Sequence, residues 1–205
     1  MVHMLLRFAV SALAAVGVLQ DPIKSLPDAY KVQFENDYVR IVRVHYAAGA
    51  KLPEHTHPAG TTMYVYLNDS DGVTFRHSGN NNRSVTRPPV KAGAIRLSGG
   101  PEEHHTAENP SASPSDFLRI ALKTNPNSSG GRSSRRIQPS ESTFANNQVR
   151  ITRLALEQHD EQTITAKEPM LLIEWPSGDE QWLDAGASRS IANHDPRTVN
   201  YIRVE

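Results

Sequence analysis

His55 and His57 stand one residue apart in Glu54-His55-Thr56-His57, just ahead of the apolar run Met63-Tyr64-Val65-Tyr66-Leu67. In an extended chain, residues i and i+2 point to one face, about 6.6 Å apart at Cα. Two imidazoles so placed can converge on one ion at metal–nitrogen distances of about 2.0–2.1 Å. Two ligands hold a divalent ion weakly, so another strand must bring more. The donor stretch is Gly99-Gly100-Pro101-Glu102-Glu103-His104-His105-Thr106-Ala107-Glu108-Asn109, about fifty residues on. If it enters a strand, only one of His104 and His105 faces inward. Glu54, Glu102 and Glu103 are reserve carboxylates near the same places.

Gly49, five residues, His55-Thr56-His57, and later His105, three residues, Asn109 resemble the two motifs of the cupin superfamily. The resemblance covers residues 34–123 and implies a small jelly-roll β-barrel whose interior can hold a metal. It selects His55, His57 and His105 as ligands and leaves Asn109 to fix a loop. The chain departs from the pattern where the family places a glutamate, four residues after the second histidine: Thr61 stands there, followed by Thr62. Three neutral imidazoles leave the ion its full charge and leave positions open for water or an anionic substrate. The implied cofactor is a divalent metal ion, with iron, manganese, zinc and nickel not distinguished.

A duplication extends the reading. Phe34-Glu35-Asn36-Asp37-Tyr38-Val39-Arg40-Ile41 is echoed by Phe144-Ala145-Asn146-Asn147-Gln148-Val149-Arg150-Ile151, and Lys91-Ala92-Gly93-Ala94 by Asp184-Ala185-Gly186-Ala187. The closing runs 117–122 and 199–204 also match. Matches in one order indicate a repeated unit. The expected fold is all-β: two jelly-roll, cupin-type barrels, the second smaller. The metal-binding barrel spans 28–123, a flexible polar linker 124–142, and a degenerate barrel 143–205. At the repeat offset His55 falls on Thr165, His57 on Lys167 and His105 near Ser190, so the second unit is expected to be metal-free, packing against the first and covering exposed strand edges. Trp175 and Trp182 are expected to pack on each other across a hairpin.

Alternation predicts strands at Val39–Tyr46, 63–67, 72–76, 83–87, 94–97 and 117–122. Tyr64, Tyr66, Arg96 and Arg119 are candidates to line the barrel. If Thr61 faces the metal, however, Met63 and Val65 do too, and the tyrosines face away. His3, His45, His77, His159 and His194 are read as surface or core residues.

Within residues 1–20 basic Arg7 precedes an apolar run from Phe8 to Leu19, which Gln20-Asp21-Pro22 ends. That is the layout of a secretory signal, and the run is shorter than the roughly 20 apolar residues a membrane span needs. The expected location is exported, periplasmic or extracellular. Lys+Arg and Asp+Glu are both 22 among 205 residues, so no net charge steers the chain to nucleic acid. Absence of cysteine excludes thiolate chemistry. No phosphate loop, serine-nucleophile motif or carboxylate pair is present. The expected partner is a small-molecule ligand or substrate, with no nucleic acid and no stable membrane span, and a homodimer left open. The function read from the residues is a divalent-metal protein, a metal-dependent oxygenase (a dioxygenase) or isomerase on a small molecule. The alternative is a non-catalytic small-molecule-binding or structural cupin.

Overall fold

The structure, a computed structural model, describes residues 21–79, 82–123 and 133–205. The expected signal at 1–20 lies outside them. A single helical turn, α1 (Pro22–Ser25), is capped by the Asp21 carboxylate and precedes the first strand. The first unit then runs β1 (Tyr30–Glu35), β2 (Val39–Tyr46), β3 (Lys51–His57), β4 (Gly60–Tyr66), β5 (Thr74–His77), β6 (Arg83–Thr86), β7 (Ile95–Gly100), β8 (Glu103–Glu108) and β9 (Ser115–Leu122). After β10 (Ser133–Ile137) the second unit runs β11 (Thr143–Ala145), β12 (Arg150–Leu156), β13 (Glu161–Thr165), β14 (Met170–Trp175), β15 (Glu180–Leu183), β16 (Ser188–Ala192) and β17 (Val199–Val204).

Among the described residues four antiparallel sheets form, ordered β3-β8-β5-β6, β1-β2-β9-β4-β7-β10, β11-β12-β17-β14-β15 and β13-β16. The six-stranded sheet is the middle of the molecule. One face meets the four-stranded sheet over a core of Tyr30, Val42, Val44, Tyr46, Tyr66 and Phe117. The other face carries Ile41, Met63, Val65, Ile95, Leu118 and Ile120 onto Ile151, Leu171, Ile173 and Ile202 of the five-stranded sheet. Most of these side chains are fully buried, each contributing about 1.5–3 kcal/mol of transfer free energy. The second unit therefore covers a face of the first, not its strand edges.

This double burial explains the run Ile41-Val42, in which neighbours that point to opposite faces are both buried; a two-faced strand reads as continuous apolar sequence. Two further expectations are corrected. Residues 124–142 are not linker throughout: Ser133–Ile137 pairs with β7 in register Ser133↔Gly99 to Ile137↔Ile95, and Ile137 is wholly buried in the seam between units. Trp182 does not pack on Trp175 across the hairpin but stacks on Tyr38 and Phe34 of the first unit, with centroids 5.3 and 6.2 Å away. Trp175 lies against Gly93.

The duplication is visible bond by bond. Asn36 accepts from the Tyr38 and Val39 amides, as Asn146 does from Gln148 and Val149. Gly93, at φ 77°, donates its amide to the Tyr66 carbonyl, and Gly186, at φ 85°, donates to Ala166. Both turns need the left-handed region that glycine enters without penalty. At Gly93 a Cβ would also stand 2.7 Å from the Trp175 ring.

Candidate metal centre

The histidines are aimed by a defect in β3. Register shifts between Leu52 and His55, and Pro53, which has no amide hydrogen to give a ladder, sits in the irregularity. The extra residue puts Leu52, His55 and His57 all on the inner face. The Pro53 carbonyl accepts from His55 Nδ1 at 2.9 Å. That places the proton on Nδ1 and the lone pair on Nε2, which accepts from the Tyr30 hydroxyl at 2.9 Å. Tyr30 is bonded in turn to the Tyr46 hydroxyl at 2.6 Å. Fixing one imidazole nitrogen on a carbonyl so that the other faces inward is how proteins orient a metal-ligating histidine.

Cross-strand pairing completes the cluster. His55 on β3 stands opposite His105 on β8, and His105 opposite His77 on β5. Ring centroids of His55, His57 and His105 are 4.8–5.1 Å apart, and one nitrogen from each lies within 4.8 Å of the others. All three are buried. Both ring nitrogens of His105 are buried without a hydrogen-bond partner. An imidazole left so is a lone pair waiting for an electrophile, and this donor set of three neutral nitrogens suits a divalent transition ion. His104 takes the outward parity, its Nδ1 bonded to Thr56 Oγ1 at 2.9 Å.

Electrostatics keep the imidazoles neutral. Burial, then the Arg119 guanidinium and the neighbouring histidines, push His57 far below the usual imidazole range. Burial, His55, His77, Arg119 and Arg87 take His105 down to about 2. Burial lowers His55 as well. Neutral rings are the form that ligates a metal.

The wall facing the histidines overturns the parity read from the sequence. Thr61, at the family's glutamate position, turns to the second unit and bonds Gln148 at 3.2–3.3 Å. Met63 and Val65 follow it into the seam. Tyr64, Arg96 and Arg119 instead line the histidine cavity, with Tyr30, Tyr46, Phe75, His77, Arg87, Glu103 and Phe117. Of the reserve carboxylates only Glu103, opposite His57, lines it; Glu54 is exposed and bonded to Ser78, and Glu102 is exposed beside His104. The cavity holds about 20 Å³. A further void of about 50 Å³ below α1 reaches Tyr30, His57 and Arg119 from outside the barrel.

His77 and Tyr30, with Arg87, are among the lining residues the sequence reading missed. His77 ends a strand whose partner is known only from topology. Tyr30 lies ahead of any motif, its one sequence sign being an aromatic at the start of an amphipathic strand.

The second barrel repeats the layout with other residues. Ile164 pairs with Arg189 as His55 does with His105, so the positions equivalent to the ligands are Ile164, Ala166 and Arg189. They lie one residue from the offset read in the sequence, and on the opposite strand face. Ile164 and Ala166 fill that barrel's core with Leu156, Met170, Leu172, Leu183 and Ile191.

No protein-family model matches the chain, and no curated protein matches it. Solved structures do. AerE from Microcystis aeruginosa aligns over 86% of this chain and 96% of its own at 13% identity and TM-score 0.53. Quercetin 2,3-dioxygenase from Acinetobacter baumannii aligns over 82% of this chain and 74% of its own at 9% identity and TM-score 0.53. A cupin domain from Bordetella pertussis aligns over 46% of this chain and 92% of its own at 20% identity and TM-score 0.39. Two jelly-roll units stacked face to face, the first with its histidines gathered inside, give this chain the fold it shares with AerE and quercetin 2,3-dioxygenase.

Proposed function

We propose that this chain is an exported metal-dependent protein that holds one divalent ion between His55, His57 and His105 and acts on a small molecule as an oxygenase or isomerase. The observation that carries the reading is His105, with both ring nitrogens buried, unpartnered and facing two more neutral imidazoles. When bound there, such an ion supplies Lewis acidity and, if redox-active, a centre for dioxygen chemistry. The chain's own residues orient and exclude. The Pro53 carbonyl fixes the His55 ring through Nδ1. Phe75 and Phe117 line the cavity with apolar surface that limits water. Burial keeps Tyr30 and Tyr46 well above the ordinary phenol range, so both remain hydroxyl donors. One neighbour of the same fold bears a dioxygenase's name, which supports oxygenase chemistry in this architecture. Export rests on the composition of residues 1–20.

The test is oxygen consumption and product formation by iron(II)-, manganese(II)- and nickel(II)-loaded protein with a panel of thiols, diketones and phenols. The proposal expects turnover by the wild type that His57→Ala abolishes. Tight metal binding with no turnover of any substrate would leave a non-catalytic binding protein in its place.

A further inference from the structure

We infer that the half of the cavity facing the histidines is a binding site for a small carboxylate, held between Arg96 and Arg119. The inference rests on the proposed function for the cavity's role as a reaction site; the anion itself is assigned from the arginines alone.

Tyr64 on β4 pairs with Arg119 on β9 and with Arg96 on β7. The two arginines therefore stand either side of one strand, their backbones about 10 Å apart, and point to one face. They are 7% and 8% exposed. Neither forms an ion pair among the described residues. Nε of both and Nη1 of Arg96 are buried without a hydrogen-bond partner. Arg96 lies 3.9 Å from the centroid of Tyr64. That contact is a cation–π one, and Nε and Nη1 of Arg96 still lack a hydrogen-bond partner. Arg87 lines the same space, and Glu103 is the one carboxylate against these three cations among the described lining residues. A divalent ion between the histidines would widen the imbalance further.

Burying a cation without a counterion is costly, and this cavity does it twice. A bound anion removes the penalty. The planar guanidinium fork matches two oxygens of a carboxylate. The remaining wall is aromatic, from Tyr64, Phe75 and Phe117, which suits an apolar group behind a carboxylate better than the further oxygens of a phosphate. Size sets the rest. The cavity of about 20 Å³ shares Tyr64, Phe75, Arg87, Arg96 and Phe117 with a neighbouring void of about 30 Å³. Together they hold a few water-sized groups, so the carboxylate is small.

The test uses the full chain stripped of metal, titrated with acetate at constant ionic strength, with acetamide as the neutral isostere and inorganic phosphate as the competing oxyanion. Acetate is expected to bind at least tenfold tighter than either. Arg96→Gln and Arg119→Gln are each expected to weaken acetate at least tenfold. The outward-facing His104→Ala is expected to change it less than threefold, and both arginine variants are expected to take up metal as the wild type does in a separate loading experiment, which separates failure of the anion site from failure of the metal site. Independently of any variant, the acetate methyl is expected to show magnetisation transfer to ring protons of Tyr64 and Phe117 in the wild type. Equal binding of acetamide or phosphate, full affinity in both arginine variants, or no transfer at saturating acetate would each overturn the assignment.

Discussion

Acidification is predicted to unfold the metal-free protein through its histidines before its carboxylates titrate. His57 and His105 are buried, and burial together with Arg119 and the adjoining imidazoles holds both neutral far below the ordinary range. In the unfolded chain each takes up a proton near pH 6.5. The unfolded state thus binds more protons below that pH, and stability present above it is lost as pH falls toward the folded values. One group costs about 1.4 kcal/mol per pH unit, so two cost roughly 4 kcal/mol between pH 7.5 and 5. His55, lowered in the same direction, adds to this. That is a large share of the roughly 5–15 kcal/mol typical of a domain. The assay is urea unfolding with excess chelator, followed by fluorescence of Trp175 and Trp182, which pack on the seam between the units. The double variant His57→Gln, His105→Gln should flatten the dependence, although Arg119, Arg87 and His77 remain. An unchanged urea midpoint from pH 7.5 to 5, or an unchanged slope in the double variant, would refute the reasoning.

Other outcomes follow from single side chains. Ile137→Ala should cost about 2–5 kcal/mol, because Ile137 is fully buried in the seam. A linker residue would change urea stability by less than about 0.5 kcal/mol. Gly93→Ala should cost at least about 1 kcal/mol, since φ is 77° and the new methyl meets Trp175; a lowered urea midpoint with unchanged m-value would show it. Tyr30→Phe should tighten the metal about fivefold in competition with a chromophoric chelator, because the hydroxyl now occupies the His55 Nε2 lone pair at 2.9 Å, a bond with a net value of about 1 kcal/mol. Weaker metal binding in Tyr30→Phe would instead place the hydroxyl among the ligands.

What the sequence disclosed was local or repeated. The i, i+2 rule places His55 and His57 on one face, and the alternation in Val39–Tyr46 marks β2 to the residue. The duplication shows as matched turns at Gly93 and Gly186. What it concealed was which neighbour each face meets. Alternation separates core from solvent. In β4 both faces are core, so Met63 and Val65 could be assigned to the histidine side as readily as Tyr64. The bulge after Leu52 and the pairing of His77 with His105 are long-range facts with no local signature. The strand hidden in 133–137 has the polar composition of a linker, and only Ile137 marks its buried face.

Elemental analysis of purified protein tests the central claim most directly, with wild type beside His57→Ala, His105→Ala and the outward-facing His104→Ala. One divalent transition metal per chain in the wild type and His104→Ala, lost in the other two, is the predicted result. Full metal content in His105→Ala, or its loss in His104→Ala alone, would contradict the account.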